Sequence, residues 1–156
     1  MKEIPVKGGL VALVDDEDYG RLAMLAWRSD TQQAVTYALT NLPRDGGKRK
    51  SPRMHQLVLP SKPGFRVDHK DGNGLNNHRS NLRYATQGQQ KQNSVKRAVS
   101  TSRFKGVCLQ GKYWRAQVKV HGVVVFSATS KSEEDAATMY NFAAFEAHGE
   151  FFRGNA

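Results

Sequence analysis

A single cysteine, Cys108, stands in 156 residues. No disulfide can form within the chain, and no zinc cluster can be built on several thiolates. Such cysteine usage suits a reducing compartment. Long apolar runs are also missing: none approaches the roughly 20 residues that span a bilayer. The opening MKEIPVKGG lacks the apolar stretch of a signal peptide, so no export is expected. Acidic residues are scarce in the middle of the chain. From Arg44 to Lys119 only Asp45, Asp68 and Asp71 face 18 Lys and Arg, a local charge of +15 within a total of +10. The two ends together carry −5. A basic middle between acidic ends is not general solubilising charge. It reads as a surface for a polyanion, with nucleic acid the first candidate. A basic membrane-surface helix fits poorly, because GGKRKSPR is broken by Gly and Pro and has no apolar face.

The length allows one ordinary domain or two small ones. A module of roughly 60 residues buries only about 60% of its unfolded surface, so two such modules would lean on a ligand or partner. Residues 5–14, PVKGGLVALV, predict a strand or hairpin around a Gly pair. DDEDYGRLAMLAW predicts a short amphipathic helix, with acids in its first turn. AVTYALT (34–40) alternates and predicts a strand. NLPRDGGKRKSPR (41–53) predicts a loop that is either solvated or a phosphate-contacting arm carrying Arg49, Lys50 and Arg53. MHQLVL is a short apolar element ended by Pro60, and FRVDH a short strand. Residues from Asn81 onward predict a helix start and then a polar tail of linker composition. From residue 103 three β-rich runs are divided by Gly111 and His121-Gly122, followed by a helix that opens at Ser132 and stops at Gly149.

The stretch VDHKDGNGLNNHRSNLR (67–83) concentrates the chemistry. Its composition alone reads as a polar turn. Asp68 and His69 are neighbours, so on an extended strand they point to opposite faces. The Asp71-Gly72 and Asn73-Gly74 pairs supply a reversal. A carboxylate, an imidazole and an amide gathered there would suit phosphodiester cleavage. A divalent ion stabilises charge on the leaving oxygen, and Mg²⁺ typically asks for only one or two carboxylates. A neutral imidazole can deprotonate the attacking water. His55, in an apolar run, reads as structural, with a phosphate or substrate contact as the alternative. His78 is expected to be exposed at the turn, with a DNA-backbone contact as its alternative.

VDHKDGNGLNNHRSNLRYAT, with MHQLVL upstream, resembles the HNH endonucleases of the phage and homing type. That resemblance implies a ββα-metal module and assigns Asp68 to metal binding, His69 to general base and Asn81 to a catalytic role positioning the imidazole. The last ligand, usually His or Asn, falls nine residues after Asn81, at Gln90. Gln keeps the amide on a side chain one methylene longer; Gln89 and Asn93 are alternatives. The implied cofactor is one divalent ion, Mg²⁺ or else Mn²⁺.

SRFKGVCLQGKYWRAQVKVHG, with the Ala-rich helix after it, resembles the ERF-type DNA-binding domain of plant transcription factors. That resemblance implies a three-stranded sheet laid in the major groove, a recognised way of reading DNA. Candidate contacts are Arg103, Lys105, Lys112, Trp114, Arg115, Gln117 and Lys119, joined in the first module by Arg79 and Arg83. Alternation places Arg115, Gln117 and Lys119 on one face and Trp114 with Ala116 and Val118 on the other. Core packing is therefore the competing role for Trp114.

The expectation is an α+β chain: an HNH module over 1–90 with an N-terminal β/α lead-in, a polar linker over 91–101, and a βββα module over 102–156. It would bind double-stranded DNA and cut or nick it in the cytoplasm of a bacterial host. No membrane and no disulfide partner are expected, and a monomer is the first expectation. The alternatives are a DNA-binding protein whose site is impaired at Gln90, and an RNA-binding basic protein.

Overall fold

Gly8 and Gly9, at φ of 103° and 78°, reverse the chain between β1 (Lys2–Val6) and β2 (Leu10–Val14). In a computed structural model of the chain these strands pair antiparallel, Ile4 opposite Ala12 and Val6 opposite Leu10. The structure describes all residues except Gln33, Gly47, 95–100 and Ala156; the side chains of Arg44, Asp45, Lys48 and Arg49 are also outside the description. It has two compact units, Met1–Gln87 and Gly88–Ala156, and mixes helices with small sheets, an α+β architecture. No helix among the described residues is long and apolar enough to cross a membrane.

In the first unit, α1 (Asp16–Ala23) follows β2, with three acids in its first turn and Arg21 in its last, as the helix dipole favours. Two hairpins come next: β3 (Arg28–Gln32) with β4 (Val35–Leu39), and β5 (Leu42–Asp45) with β6 (Lys48–Lys50). The segment predicted as a loop over 41–53 thus holds a short hairpin around Asp45-Gly46. MHQLVL begins α2 (Met54–Val58). β7 (Arg66–His69) and β8 (Leu82–Ala85) then pair antiparallel around the polar turn. Ile4, Val6, Ala12, Val14, Leu22, Trp27, Ala38, Met54, Val58 and Leu82 form one buried cluster. Trp27 satisfies its indole N–H on the Leu22 carbonyl at 2.8 Å.

One expectation needs correcting here. Residues 82–85 are a strand, not the start of a helix. Leu82, Arg83 and Ala85 are buried and Tyr84 partly so, a pairing surface that outweighs the local helical signal. The helix begins later, as α3 (Gln87–Asn93), inside the stretch read as linker.

In the second unit, β9 (Val107–Gln110), β10 (Tyr113–Val120) and β11 (Val123–Ser130) form an antiparallel sheet with β10 central. His121 and Gly122 both take positive φ in the β10–β11 turn. α4 (Glu133–His148) opens on Ser132, whose Oγ accepts from the Asp135 N–H at 3.2 Å. It closes on Gly149, at φ 52°. Its Ala-rich face (Ala136, Ala137, Ala144, with Tyr140) packs on Val107, Ala116 and Val118. A β-carbon at Gly106 would lie 1.9 Å from the Tyr140 ring, so only glycine fits there.

Candidate functional site

Directly opposed residues of an antiparallel pair share a face. Asp68 lies opposite Arg83, and His69 opposite Leu82. On the first face, Arg83 donates from Nε and Nη2 to Asp68 Oδ2 at 3.2 and 3.1 Å. The two side chains are only 8% and 12% exposed. Arg83 was a predicted DNA contact; here its guanidinium is buried against the candidate metal-binding carboxylate.

On the opposite face the His69 ring is buried among Tyr37, His55 and Asn77. The His55 ring stands edge to face on it at 4.9 Å, and Tyr37 contacts both rings at 5.6 and 5.9 Å. His69 Nε2 lies 3.4 Å from Asn77 Oδ1, a long hydrogen bond. Asn77 is itself fully buried and cannot rotate cheaply. Its Nδ2 donates to the Leu75 carbonyl at 3.0 Å and its backbone N–H to the Leu13 carbonyl at 2.8 Å. That leaves the amide oxygen facing His69, so Nε2 is the protonated nitrogen and Nδ1 carries the basic lone pair. Burial lowers the His69 pKa from its ordinary value, offset in part by Asn77 and the Asp71 charge. The imidazole is therefore neutral at neutral pH, as a base must be before it acts.

Asn81 does not touch the ring. Its amide closes the turn: Oδ1 accepts from the Asp71 N–H at 3.1 Å, and Nδ2 donates to Asp71 Oδ1 at 3.0 Å and to the Asn76 carbonyl at 2.8 Å. Asp71 also accepts from the Asn73 N–H and from Asn76 Nδ2. Burial alone would raise the Asp71 carboxyl, but these amide donors outweigh it and hold it below the usual value. Asn81 thus closes the turn, and Asn77 is the amide at the imidazole.

The N-terminal lead-in grips the same turn. β2 continues onto it through Leu13 N–H to the Leu75 carbonyl, at 2.8 Å. Asp15 accepts from the Arg79 N–H at 2.7 Å and lies 2.9 Å from His78 Nδ1. Arg79 makes a two-pronged contact to Asp18 at 2.8 and 2.9 Å and also pairs with Glu17. Asp18 is 1% exposed. Burial would raise its carboxyl, but Arg79 and Arg21 together hold it low. Two expectations change accordingly. His78 is buried rather than exposed, and Arg79 spends its guanidinium on α1, because this loop closes against the acidic helix start.

Other candidate contacts divide. Arg53 stacks on the Tyr37 ring at 4.2 Å and pairs with Asp30 at 2.7 Å, which holds it inside the unit. Lys50 is exposed on β6, while the Arg49 side chain is outside the described residues. In the second unit Lys105 is half-buried and donates to the carbonyls of Gln92 and Ser94, closing the end of α3. Burial pushes its ammonium down to about 8, with Arg153 adding to the shift. Arg103 pairs with Glu134 and lies over the Phe104 ring. Trp114, half-buried, packs against the sheet–helix core, as its alternation with Ala116 and Val118 requires. Arg115, Gln117 and Lys119 lie on the face away from that core, and Lys112 is exposed at the β9–β10 turn. Gln90 lies on α3, in the second unit.

Asn77 was hidden in the sequence by its neighbour: NN offers two amides, and only the fold tells them apart. Tyr37 carried no signal, since 32 residues separate it from His69.

The chain is similar to a curated protein called an uncharacterized HNH endonuclease, L560, of Acanthamoeba polyphaga mimivirus. The two are 40% identical over 115 residues, which is 71% of this chain and 59% of that protein. The chain thus spans under two thirds of this relative's length. No family model matches the sequence, and no solved structure matches it.

Proposed function

We propose that the chain is a metal-dependent endonuclease of the HNH kind, of phage or homing type, that hydrolyses phosphodiester bonds of double-stranded DNA. The observation that carries this reading is the β7–β8 turn. It holds a neutral imidazole oriented by a buried amide, with a buried carboxylate–guanidinium pair on the other face of the same two-residue step. Similarity to L560, named an HNH endonuclease, supports it. So does the +15 charge of residues 44–119, which favours a polyanion.

In this reading His69 Nδ1 takes the proton from a water aligned on phosphorus. Asn77 holds the ring by its Nε2–H and stabilises the imidazolium that forms. Asn81 keeps the turn closed so that Asp68 and His69 stay in register. Arg83 orients the Asp68 carboxylate. The donors fit a hard divalent ion that keeps most of its water. Asp68 offers oxygen, and no group of three His, Cys, Asp or Glu that could hold a metal occurs among the described residues. Asp68 is the carboxylate that would hold Mg²⁺ or Mn²⁺. Such an ion, when bound, supplies charge stabilisation at the leaving oxygen. The second unit would hold the DNA through Arg115, Gln117 and Lys119, as an ERF-type sheet does.

Supercoiled plasmid incubated with Mg²⁺ or Mn²⁺ tests the proposal. Wild type should convert it to the nicked or linear form, EDTA should stop the reaction, and His69→Ala should be inactive. Equal, intact plasmid with wild type and His69→Ala under every metal would leave only DNA binding without cleavage. In that case Gln90→Asn, which restores the family's shorter amide, becomes the informative variant.

A further inference from the structure

His55 is 6% exposed, and its Nδ1 is sealed from solvent with no hydrogen-bond partner among the described residues. A buried imidazole nitrogen without a partner is far cheaper as a bare lone pair than as an N–H with nothing to accept it. The proton of the neutral ring therefore sits on Nε2. Burial, reinforced by His69 and Arg53, brings the His55 pKa down to about 3, so the ring stays neutral in any ordinary buffer. It is placed against His69, ring centres 4.9 Å apart and planes at 86°, with Tyr37 against both. A polar ring at this position is not needed for packing. Its neighbours Met54 and Val58 on α2 belong to the apolar core, and Phe or Leu would fill the site without a stranded nitrogen.

We propose that His55 is a second imidazole of the active site, and that its Nε2–H donates a hydrogen bond to a non-bridging oxygen of the phosphodiester bound beside His69. A neutral donor suits this place. A Lys or Arg so near would oppose the positive charge that His69 gains on taking the proton from water, whereas a neutral N–H stabilises charge on phosphate without that repulsion. The step forms no covalent bond to His55 and moves no proton from it. The inference rests on the nuclease reading above.

Three variants separate the donor from the ring. His55→Phe keeps an aromatic ring and removes the N–H; His55→Gln keeps an N–H near the Nε2 position and removes the ring; His55→Ala removes both. Steady-state nicking of supercoiled plasmid with Mg²⁺ is measured for each, with the thermal midpoint checked at pH 7.5. Removing one donor of this kind costs about 100-fold or more in kcat. His55→Phe and His55→Ala are therefore expected to lose about that much in kcat with little change in KM, and His55→Gln to recover at least tenfold of it. On a duplex with one phosphorothioate at the mapped nick, one sulfur diastereomer should slow wild type and leave His55→Phe indifferent. Full activity in a folded His55→Phe, or a His55→Gln no better than Ala, overturns the proposal while leaving His69 as the base. If His69→Ala nicks like wild type, the nuclease reading itself falls and this inference with it.

Discussion

Asn77 Oδ1 faces His69 Nε2 at 3.4 Å because the amide's other end is committed to the Leu75 carbonyl. The bond is long, yet Asn77 has no exposed surface and no alternative orientation that satisfies both ends. Groups that orient an active imidazole in this way commonly matter about 10–100-fold. Asn77→Ala should therefore lower kcat for plasmid nicking by about that factor while DNA affinity, read by fluorescence anisotropy without metal, stays near wild type. Asn81→Ala should lower the unfolding midpoint as well as kcat, since it opens the Asp71 turn.

Arg83 and Asp68 form a buried pair, and buried pairs punish the loss of one partner more than the loss of both. Arg83→Met takes the guanidinium away from the Asp68 carboxylate and should cost about 3–5 kcal/mol in urea unfolding. Adding Asp68→Asn to it should return a substantial part of that loss. Additive losses in the double variant would show that the pair is not coupled.

Gly74 is a glycine for want of space. A β-carbon there would lie 2.5 Å from the Thr36 carbonyl oxygen and 2.6 Å from the Tyr37 ring. Forcing it in displaces a backbone atom and the ring that packs on both imidazoles, at about 1–3 kcal/mol for overpacking. Gly74→Ala should lower the thermal midpoint and also reduce nicking, and Tyr37→Phe should leave both closer to wild type. A Gly74→Ala protein with unchanged activity would detach Tyr37 from the function of His69.

His55 makes acid stability asymmetric. Its folded pKa of about 3 lies below the ordinary 6.5. Below pH 6.5 the unfolded chain binds a proton that the folded chain does not, so stability is complete above 6.5 and falls as the pH drops toward 3. The loss from this group is about 2 kcal/mol at pH 5. His69, also lowered by burial, acts in the same direction. Urea unfolding at pH 7.5 and pH 5 should show a larger drop for wild type than for His55→Gln. An equal drop would mean that His55 takes up its proton in the folded state.

Part of the fold is legible in the residues themselves. Alternation put Trp114 with Ala116 and Val118, and the sheet of the second unit packs them that way. The Ser132 and Gly149 helix limits follow from local hydrogen bonding and positive φ, which are properties of the residues themselves. Intramolecular partners are illegible where they lie far off in sequence. Arg79 and Arg83 read as cations for DNA because their acids, Asp18 and Asp68, lie 61 and 15 residues away. Lys105, a candidate DNA contact by sequence, closes a helix end inside its own unit. Residues 82–85 carried a helical signal that strand pairing with β7 overrode.

The sequence by itself determined the charge asymmetry, the β-rich runs and their turns, and the place of Asp68 and His69 on opposite faces of one strand. These depend on composition and on the two-residue period of an extended chain. Only the tertiary structure decided which amide meets the imidazole, which cations are spent internally, and that Tyr37 and His55 enclose His69. Such choices are made by burial, where a polar atom must find a partner wherever the folded chain supplies one.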